Sequence, residues 1–198
     1  MIKIISRKSD LAIIQSKLVG NAISNSHPDL DIKYIYKDTR GDIDLSTPLS
    51  KLPEIGVFTT DLRKNLIDND ADIAVHSWKD LPIKLEKGTI VAGTLARADM
   101  RDILLIKKNR INLIKESKSI EVSTSSPRRS YNISSFLIKA TPFDLNTVSF
   151  KDIRGNIPTR LNKFIDGESD GIVLAKAALD RILENSNKDL AQKIINIL

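Results

Sequence analysis

The sequence predicts an α/β protein of two lobes, and three observations support this prediction. Short runs rich in β-branched residues alternate with longer stretches whose apolar residues recur every three or four positions, as strands and helices do around a sheet. The apolar run at 73–75 has the length and β-branched content of a buried strand and changes within one residue to a polar segment, which is typical of a strand beside a ligand crevice. The alternation restarts after a crossing segment at 95–102, so we expect lobes at 1–95 and 96–185 and a C-terminal helix at 186–198.

Composition narrows the classes of function. Of the 198 residues, 41% are apolar, and the formal net charge of +6 implies an anionic partner: nucleic acid, a lipid headgroup or a polycarboxylate. Aromatic residues make up only 5%, so stacking platforms for single-stranded nucleic acid are poorly supplied. These residues contain no cysteine, which excludes disulfides, thiolate metal sites and thiol nucleophiles among them. With two histidines and no long apolar segment, we expect no metal site, no membrane partner and a cytoplasmic protein.

In the first half, the pattern predicts strand, helix, strand, helix, strand. Strands are expected at 3–5, 31–37 and 73–75, with helices whose apolar stripes run through 11–22 and 58–66. Ser9 is a candidate N-cap, which would put Arg7 and Ser9 at a positive helix end. Their local pattern fits an anion seat and an ordinary cap beside a solvated arginine equally well.

The polar segment after the strand at 73–75 is the strongest candidate site. It reads His76-Ser77-Trp78-Lys79-Asp80 and ends at Pro82. Lys79 and Asp80 would supply a cation and a general acid or base side by side. A charged surface turn is the alternative, because short motifs often match by chance.

In the second half, the arginines stand at helix starts. Ser126 as N-cap and Pro127 at the first helical position form a strong start signal, followed by Arg128 and Arg129. Arg154 and Arg160 flank the start of the next helix. Arg128 and Arg129 fit a carboxylate or phosphate cradle, with a solvated basic face as the alternative. Taken alone, Arg154 and Arg160 fit solvated residues better than functional ones. Strands are expected at 89–94, 103–107, 120–123, 147–150 and 171–174, and helices at 127–140, from within 152–160, at 175–183 and at 188–198.

Several ordered segments resemble one known family. Residues 71–82 are very similar to the signature of the porphobilinogen deaminase (hydroxymethylbilane synthase) family, in which the Asp of His-Ser-x-Lys-Asp is the catalytic carboxylate. The resemblance extends over essentially the whole chain. Further blocks in family order lie at 6–12, 39–42, 47–49, 125–129, 154–161 and 167–175.

The resemblance implies two lobes like those of periplasmic binding proteins, each a twisted mixed sheet flanked by helices, followed by a third domain. It implies a transferase of tetrapyrrole (heme) biosynthesis that joins four porphobilinogens on a dipyrromethane primer and releases ammonia. Asp80 would be the catalytic carboxylate, with Lys79 beside it, bonding the pyrrole N–H and stabilising the cation formed as ammonia leaves. The positions that match residues near the primer, or residues that bind acetate and propionate groups, are Arg7, Ser9, Lys51, Ser77, Thr124, Ser125, Ser126, Arg128, Arg129, Arg154 and Arg160.

The sequence also departs from the family pattern. The active-site loop usually reads Lys-x-Gly-Gly-Lys-Gly, and here residues 51–56 read Lys-Leu-Pro-Glu-Ile-Gly. Trp78 stands where Met is usual, and Pro127 stands where Leu is usual. In the family, a cysteine of the third domain carries the primer by a thioether, and these 198 residues have no cysteine. We therefore expect a truncated chain without the third domain, no covalent attachment of dipyrromethane, and doubtful turnover.

Three hypotheses about function remain. The first is a hydroxymethylbilane synthase by descent. The second is a non-catalytic two-lobed binding protein for pyrrole carboxylates or other small polyanions. The third, a basic nucleic-acid-binding protein, explains the charge but not the ordered motifs. We expect porphobilinogen as substrate, no nucleic-acid partner, and a monomer whose incomplete first sheet offers a route to self-association.

Overall fold

The computed structural model describes residues 1–39, 59–84, 87–185 and 188–197. They form two compact units, Met1–Arg97 and Ala98–Leu198, each built on its own sheet with helices packed against it. The α/β class predicted from the sequence is confirmed. Within the described ranges, no helix is long and apolar enough to cross a membrane.

The first unit is organised around a central strand. Its elements are β1 (Ile2–Arg7), α1 (Asp10–Ser26), β2 (Ile32–Lys37), α2 (Thr60–Ile67) and β3 (Ile73–Ala74), followed by a 3-10 turn at Trp78–Asp80. The strand order is β2-β1-β3, and both neighbours run parallel to β1. Ile5, Leu62 and Ala71 form the buried centre between sheet and helix. Because all three strands are parallel, their carboxyl ends meet at one edge of the sheet.

The second unit has a four-stranded mixed sheet. The strand order is β4-β7-β5-β6, in which only β4 is antiparallel to its neighbour. The resemblance implied a mixed sheet in each lobe; among the described strands, the first sheet is parallel and the second is mixed. The elements are β4 (Asp102–Ile106), α3 (Ile111–Ser117), β5 (Ser119–Ser123), α4 (Pro127–Ala140), β6 (Thr147–Lys151), α5 (Ile157–Asp166), β7 (Gly171–Ala175), α6 (Lys176–Asn185) and α7 (Lys188–Ile197).

Two expectations from the sequence differ from the structure. The strand expected at 89–94 is absent: this stretch is coil, and Ile90 is 84% exposed. No described strand lies beside it, and β-branched residues favour a strand only where a neighbouring strand can pair with them. The run at 73–75 was expected to be buried, and it is half-buried because β3 pairs with β1 alone among the described strands. The sequence pattern also missed the short helix α3.

Candidate active site

In the first unit, Arg7 and Asp80 lie at the same edge of the sheet. Arg7 is the last residue of β1, and Val75 N–H donates to the Ile5 carbonyl at 2.9 Å, which extends the pairing beyond β3. The segment that follows therefore passes beside Arg7. Arg7 Nη1 lies 3.8 Å from Asp80 Oδ2, and the two side chains are 22% and 20% exposed. The structure thus brings together a cation and the predicted catalytic carboxylate at a solvent-accessible edge.

Two hydrogen bonds fix the turn that carries Asp80. Asp80 N–H donates to the Ser77 carbonyl at 2.9 Å and closes the 3-10 turn. The Ser77 hydroxyl donates to Gln15 Oε1 at 3.0 Å, which ties the turn to α1. Sequence reasoning missed Gln15, because nothing in a mid-helix glutamine indicates a partner 62 residues away. Ser77 was predicted to bind substrate, and in the structure its hydroxyl proton is donated to Gln15.

The other groups of this edge differ in exposure. Lys79 is exposed, and Trp78 is 68% exposed. Burial lowers the pKa of His76, Arg7 acts in the same direction, and Asp80 opposes the shift. Ser9 occupies the predicted N-cap position of α1 with extended backbone, but its side chain makes no capping bond. Lys51, the predicted site residue of the altered loop, lies outside the described residues.

In the second unit, the turn between β5 and α4 forms as its sequence predicts. The Ser126 hydroxyl accepts from Arg129 N–H at 3.4 Å, and Pro127 opens the helix. Thr124 is buried, and its hydroxyl oxygen accepts from Ser126 N–H at 3.3 Å. Ser125 bonds the backbone of Ile153 in both directions, so its hydroxyl faces the turn after β6.

Three of the four predicted arginines come together. Burial lowers the pKa of Arg160, and the nearby charges of Arg129 and Arg154 lower it further. Asp102 binds the Arg129 guanidinium side-on, with its oxygens 2.8 Å from Nε and 2.7 Å from Nη2. Arg160 Nε donates to the Gly155 carbonyl at 2.7 Å. We call Arg129, Arg154 and Arg160 the arginine cluster.

Arg128 does not belong to this cluster. It is exposed on the first turn of α4, and it is not among the charges that act on Arg160. Consecutive residues on a helix point about 100° apart, so Arg128 and Arg129 leave α4 in different directions. Asp102, which orients Arg129, was missed, because the start of β4 carries no local signal for a partner on another helix.

The arginine cluster suits a ligand that carries carboxylates. The charges acting on Arg160 within the described residues are all positive, so an anion beside it would relieve both the burial penalty and the repulsion. Arginine binds a carboxylate with two parallel hydrogen bonds, which makes it a better partner than lysine for this group. Among the described residues, no group of three or more His, Asp or Glu side chains is arranged to hold a metal ion.

Comparisons with known proteins point to one family over most of the chain. A family model described as "Porphobilinogen deaminase, dipyromethane cofactor binding domain" matches residues 2–196. The porphobilinogen deaminase of Chlorobium phaeovibrioides is 40% identical over 177 residues, covering 89% of this chain and 54% of the relative. That of Campylobacter curvus is 36% identical over 182 residues (92% and 56%), and a probable one of Picrophilus torridus is 38% identical over 184 (93% and 61%). The chain thus spans between half and two thirds of the length of these relatives.

Proposed function

Because the chain belongs to the porphobilinogen deaminase family, we propose that it binds porphobilinogen and carries the catalytic carboxylate for its condensation in tetrapyrrole biosynthesis. The observation that carries this proposal is the pair of Arg7 and Asp80, 3.8 Å apart at the carboxyl edge of the first sheet. A carboxylate held loosely beside a cation at such an edge can turn toward a ligand without breaking a tight internal bond.

Asp80 has two roles in the proposed reaction. Its carboxylate accepts a hydrogen bond from the pyrrole N–H of porphobilinogen and orients the ring. As ammonia leaves, positive charge spreads over the ring, and the negative charge of Asp80 stabilises it. Lys79 is exposed beside Asp80 and would bind an acidic side chain of the substrate. The bond between Ser77 and Gln15 holds the turn, so Asp80 does not need to be ordered at the moment of reaction.

The arginine cluster would bind acetate and propionate groups. Each charge-assisted hydrogen bond of this kind contributes on the order of 1.5–3 kcal/mol. Asp102 occupies the Nε–Nη2 side of Arg129, so a ligand carboxylate would bind the guanidinium from its other side. Arg160, on α5, is close enough for its charge to interact with that of Arg129.

The same residues suit the dipyrromethane named in the family description. Its side-chain carboxylates fit the positive charge around Arg160, and Thr124 and Ser126 lie at the adjacent turn. When bound, it would supply the pyrrole carbon that takes the incoming unit. These 198 residues contain no cysteine, so we propose that this chain holds it through charge and hydrogen bonds.

The decisive experiment is to incubate the purified chain with porphobilinogen and measure ammonia release together with intact mass. We expect ammonia release above the no-protein control and no mass increase that survives denaturation. An increase matching two linked pyrroles after denaturation would show that another residue anchors the primer. No ammonia above the control would rule out turnover by this chain.

A binding protein for pyrrole carboxylates is the second candidate, and the absence of cysteine from these residues favours it. Calorimetry with porphobilinogen separates the two. Saturable binding without ammonia release supports the binding protein, whereas binding with release supports the enzyme.

A further inference from the structure

The hydroxyl of Ser125 bonds both backbone groups of one residue, Ile153, on the neighbouring turn. It donates to the Ile153 carbonyl, and it accepts from Ile153 N–H at 2.9 Å. Ile153 is 7% exposed, so both of its backbone groups need partners inside the protein. The two residues are 28 positions apart and follow neighbouring parallel strands, β5 and β6. Ser125 therefore joins the turn after one strand to the turn after the next.

This arrangement is incompatible with direct binding of a carboxylate by Ser125. A serine hydroxyl has one proton to donate, and here the Ile153 carbonyl takes it. A carboxylate has no proton to give, so it can interact only with a donor. The Ser125 hydroxyl would have to leave Ile153 unsatisfied in order to bind such a ligand. Ser126 differs, because among the described residues its hydroxyl accepts from Arg129 N–H and donates to no group.

The turn that Ser125 holds leads directly to the arginine cluster. Arg154 follows Ile153 in the chain, and the next residue, Gly155, has a positive φ of 123°. The Gly155 carbonyl accepts from Arg160 Nε at 2.7 Å, and Asn156 caps α5 through Thr159 N–H at 2.9 Å. A displacement of Ile153 would thus move the backbone of Arg154 and the carbonyl that orients Arg160.

We infer that Ser125 is a positioning residue, which fixes Arg154 and Arg160 through the backbone of Ile153 and does not itself contact the ligand. The inference deepens the proposed function, since it concerns residues proposed there to bind carboxylates. It differs from the role that the family resemblance implies for this position, where Ser125 would lie against the primer.

The first test follows the Arg160 side chain without any ligand. In the folded protein, hydrogen exchange at the Arg160 Nε–H, measured by NMR, should be slow because Gly155 accepts this bond. Ser125→Ala should speed this exchange by about 10-fold or more, since the turn becomes free to open. Ser125→Thr keeps the hydroxyl and should restore the protection, and Ser135→Ala, at an exposed position of α4, is the matched control. If Ser125→Ala is too unstable, Ser125→Cys keeps the shape and weakens both bonds. Unchanged Arg160 protection in the folded Ala or Cys variant would overturn the inference.

The second test separates positioning from contact by a double-mutant cycle. With porphobilinogen as the probe, Ser125→Ala should raise the Kd about 10-fold in the wild-type background. It should have little further effect in an Arg154→Ala, Arg160→Ala background, because the residues it positions are gone. Equal losses in both backgrounds would mean that Ser125 touches the ligand, against the inference. If wild-type protein does not bind porphobilinogen, the proposed function fails, and the exchange at Arg160 still decides the role of Ser125.

Discussion

Arg160 shows how a single side chain can indicate the chemistry of a ligand. It is half-buried, and burial together with the charges of Arg129 and Arg154 lowers its pKa. A cation with a lowered pKa is typical of a site that binds an anion. Burial and neighbouring positive charges destabilise the unpaired guanidinium, and the same two features strengthen its attraction to a carboxylate.

Asp80 gives the most direct prediction for catalysis. In a preparation that turns porphobilinogen over, Asp80→Asn should slow ammonia release by roughly 10²–10⁴-fold, because the amide carries no charge to stabilise the developing cation. The melting temperature should change little, since the one ion pair of the Asp80 side chain among the described residues is 3.8 Å long and lies at an accessible edge. Steady-state kinetics and thermal melts measure both. A loss below threefold would refute the catalytic role, and a large fall in melting temperature would indicate a structural one.

The lowered pKa of His76 predicts that the stability of the protein depends on pH. Its folded pKa lies below the ordinary value of 6.5, so the unfolded chain binds more protons in the window between the two values. The free energy of unfolding therefore rises with pH through that window and falls as the pH drops below 6.5. His76→Gln should flatten this part of the profile, measured by urea unfolding on either side of 6.5. His27→Gln, at the exposed end of α1, is the matched control, and an equal flattening there would contradict the assignment to His76.

Among single residues, the sequence indicated those whose signal is local. Arg129, Arg154 and Arg160 were predicted at helix starts, and in the structure the charges of Arg129 and Arg154 act on Arg160, while their role in binding stays a prediction. Gln15 and Asp102 were missed, because their partners, Ser77 and Arg129, are distant in the chain and no pattern of spacing connects them. The structure also gives Ser125 a bond to the backbone of Ile153, which the sequence could not indicate.

At the scale of elements, helix starts could be predicted from the sequence, whereas strands that depend on a pairing partner could not. The start of α4 was predicted correctly, because Ser126 and Pro127 determine it within one turn. The strand expected at 89–94 was wrong, because a strand requires a partner that its own residues do not encode. Helix α3 was missed because it has seven residues and its N-cap residue, Arg110, makes no capping bond.

The turn before α5 depends on Gly155. Its φ of 123° is a conformation that residues with a side chain rarely adopt, and an added Cβ would lie 2.7 Å from Thr159 Cγ2. Gly155→Ala should lower the free energy of unfolding by about 1–3 kcal/mol and weaken porphobilinogen binding, since Arg160 loses its carbonyl partner. Urea unfolding and calorimetry check the two effects. Gly93→Ala is the matched control, because an added Cβ there meets nothing within 4 Å. A Gly155→Ala variant as stable as that control would contradict the strain.

On the scale of the whole molecule, the described parts of the two units differ in how many apolar residues they bury. The described buried apolar residues of the first unit are Ile4, Ile5, Leu62 and Ala71, whereas the second unit has fourteen. Burial of apolar surface is the main favourable term in folding, so we expect the second unit to be the more stable.

Native-state hydrogen exchange in increasing urea tests this expectation. Amides of β1 should lose protection at lower urea than amides of β5 and β7, because fewer apolar residues are buried in the described part of the first unit. Loss of protection at the same urea concentration in all three strands would show that the chain unfolds as one cooperative unit.

The position of Trp78 makes its fluorescence a probe of ligand binding. It is the only tryptophan of the chain, it is 68% exposed, and it shares its short turn with Asp80. The tryptophan emission of the protein therefore comes from one indole that stands in water beside the proposed catalytic carboxylate. A molecule that settles over this turn would shift the emission to shorter wavelength and shield it from a dissolved quencher. The fluorescence of Trp78 thus reports whether a ligand is bound beside Asp80, and no dye needs to be attached.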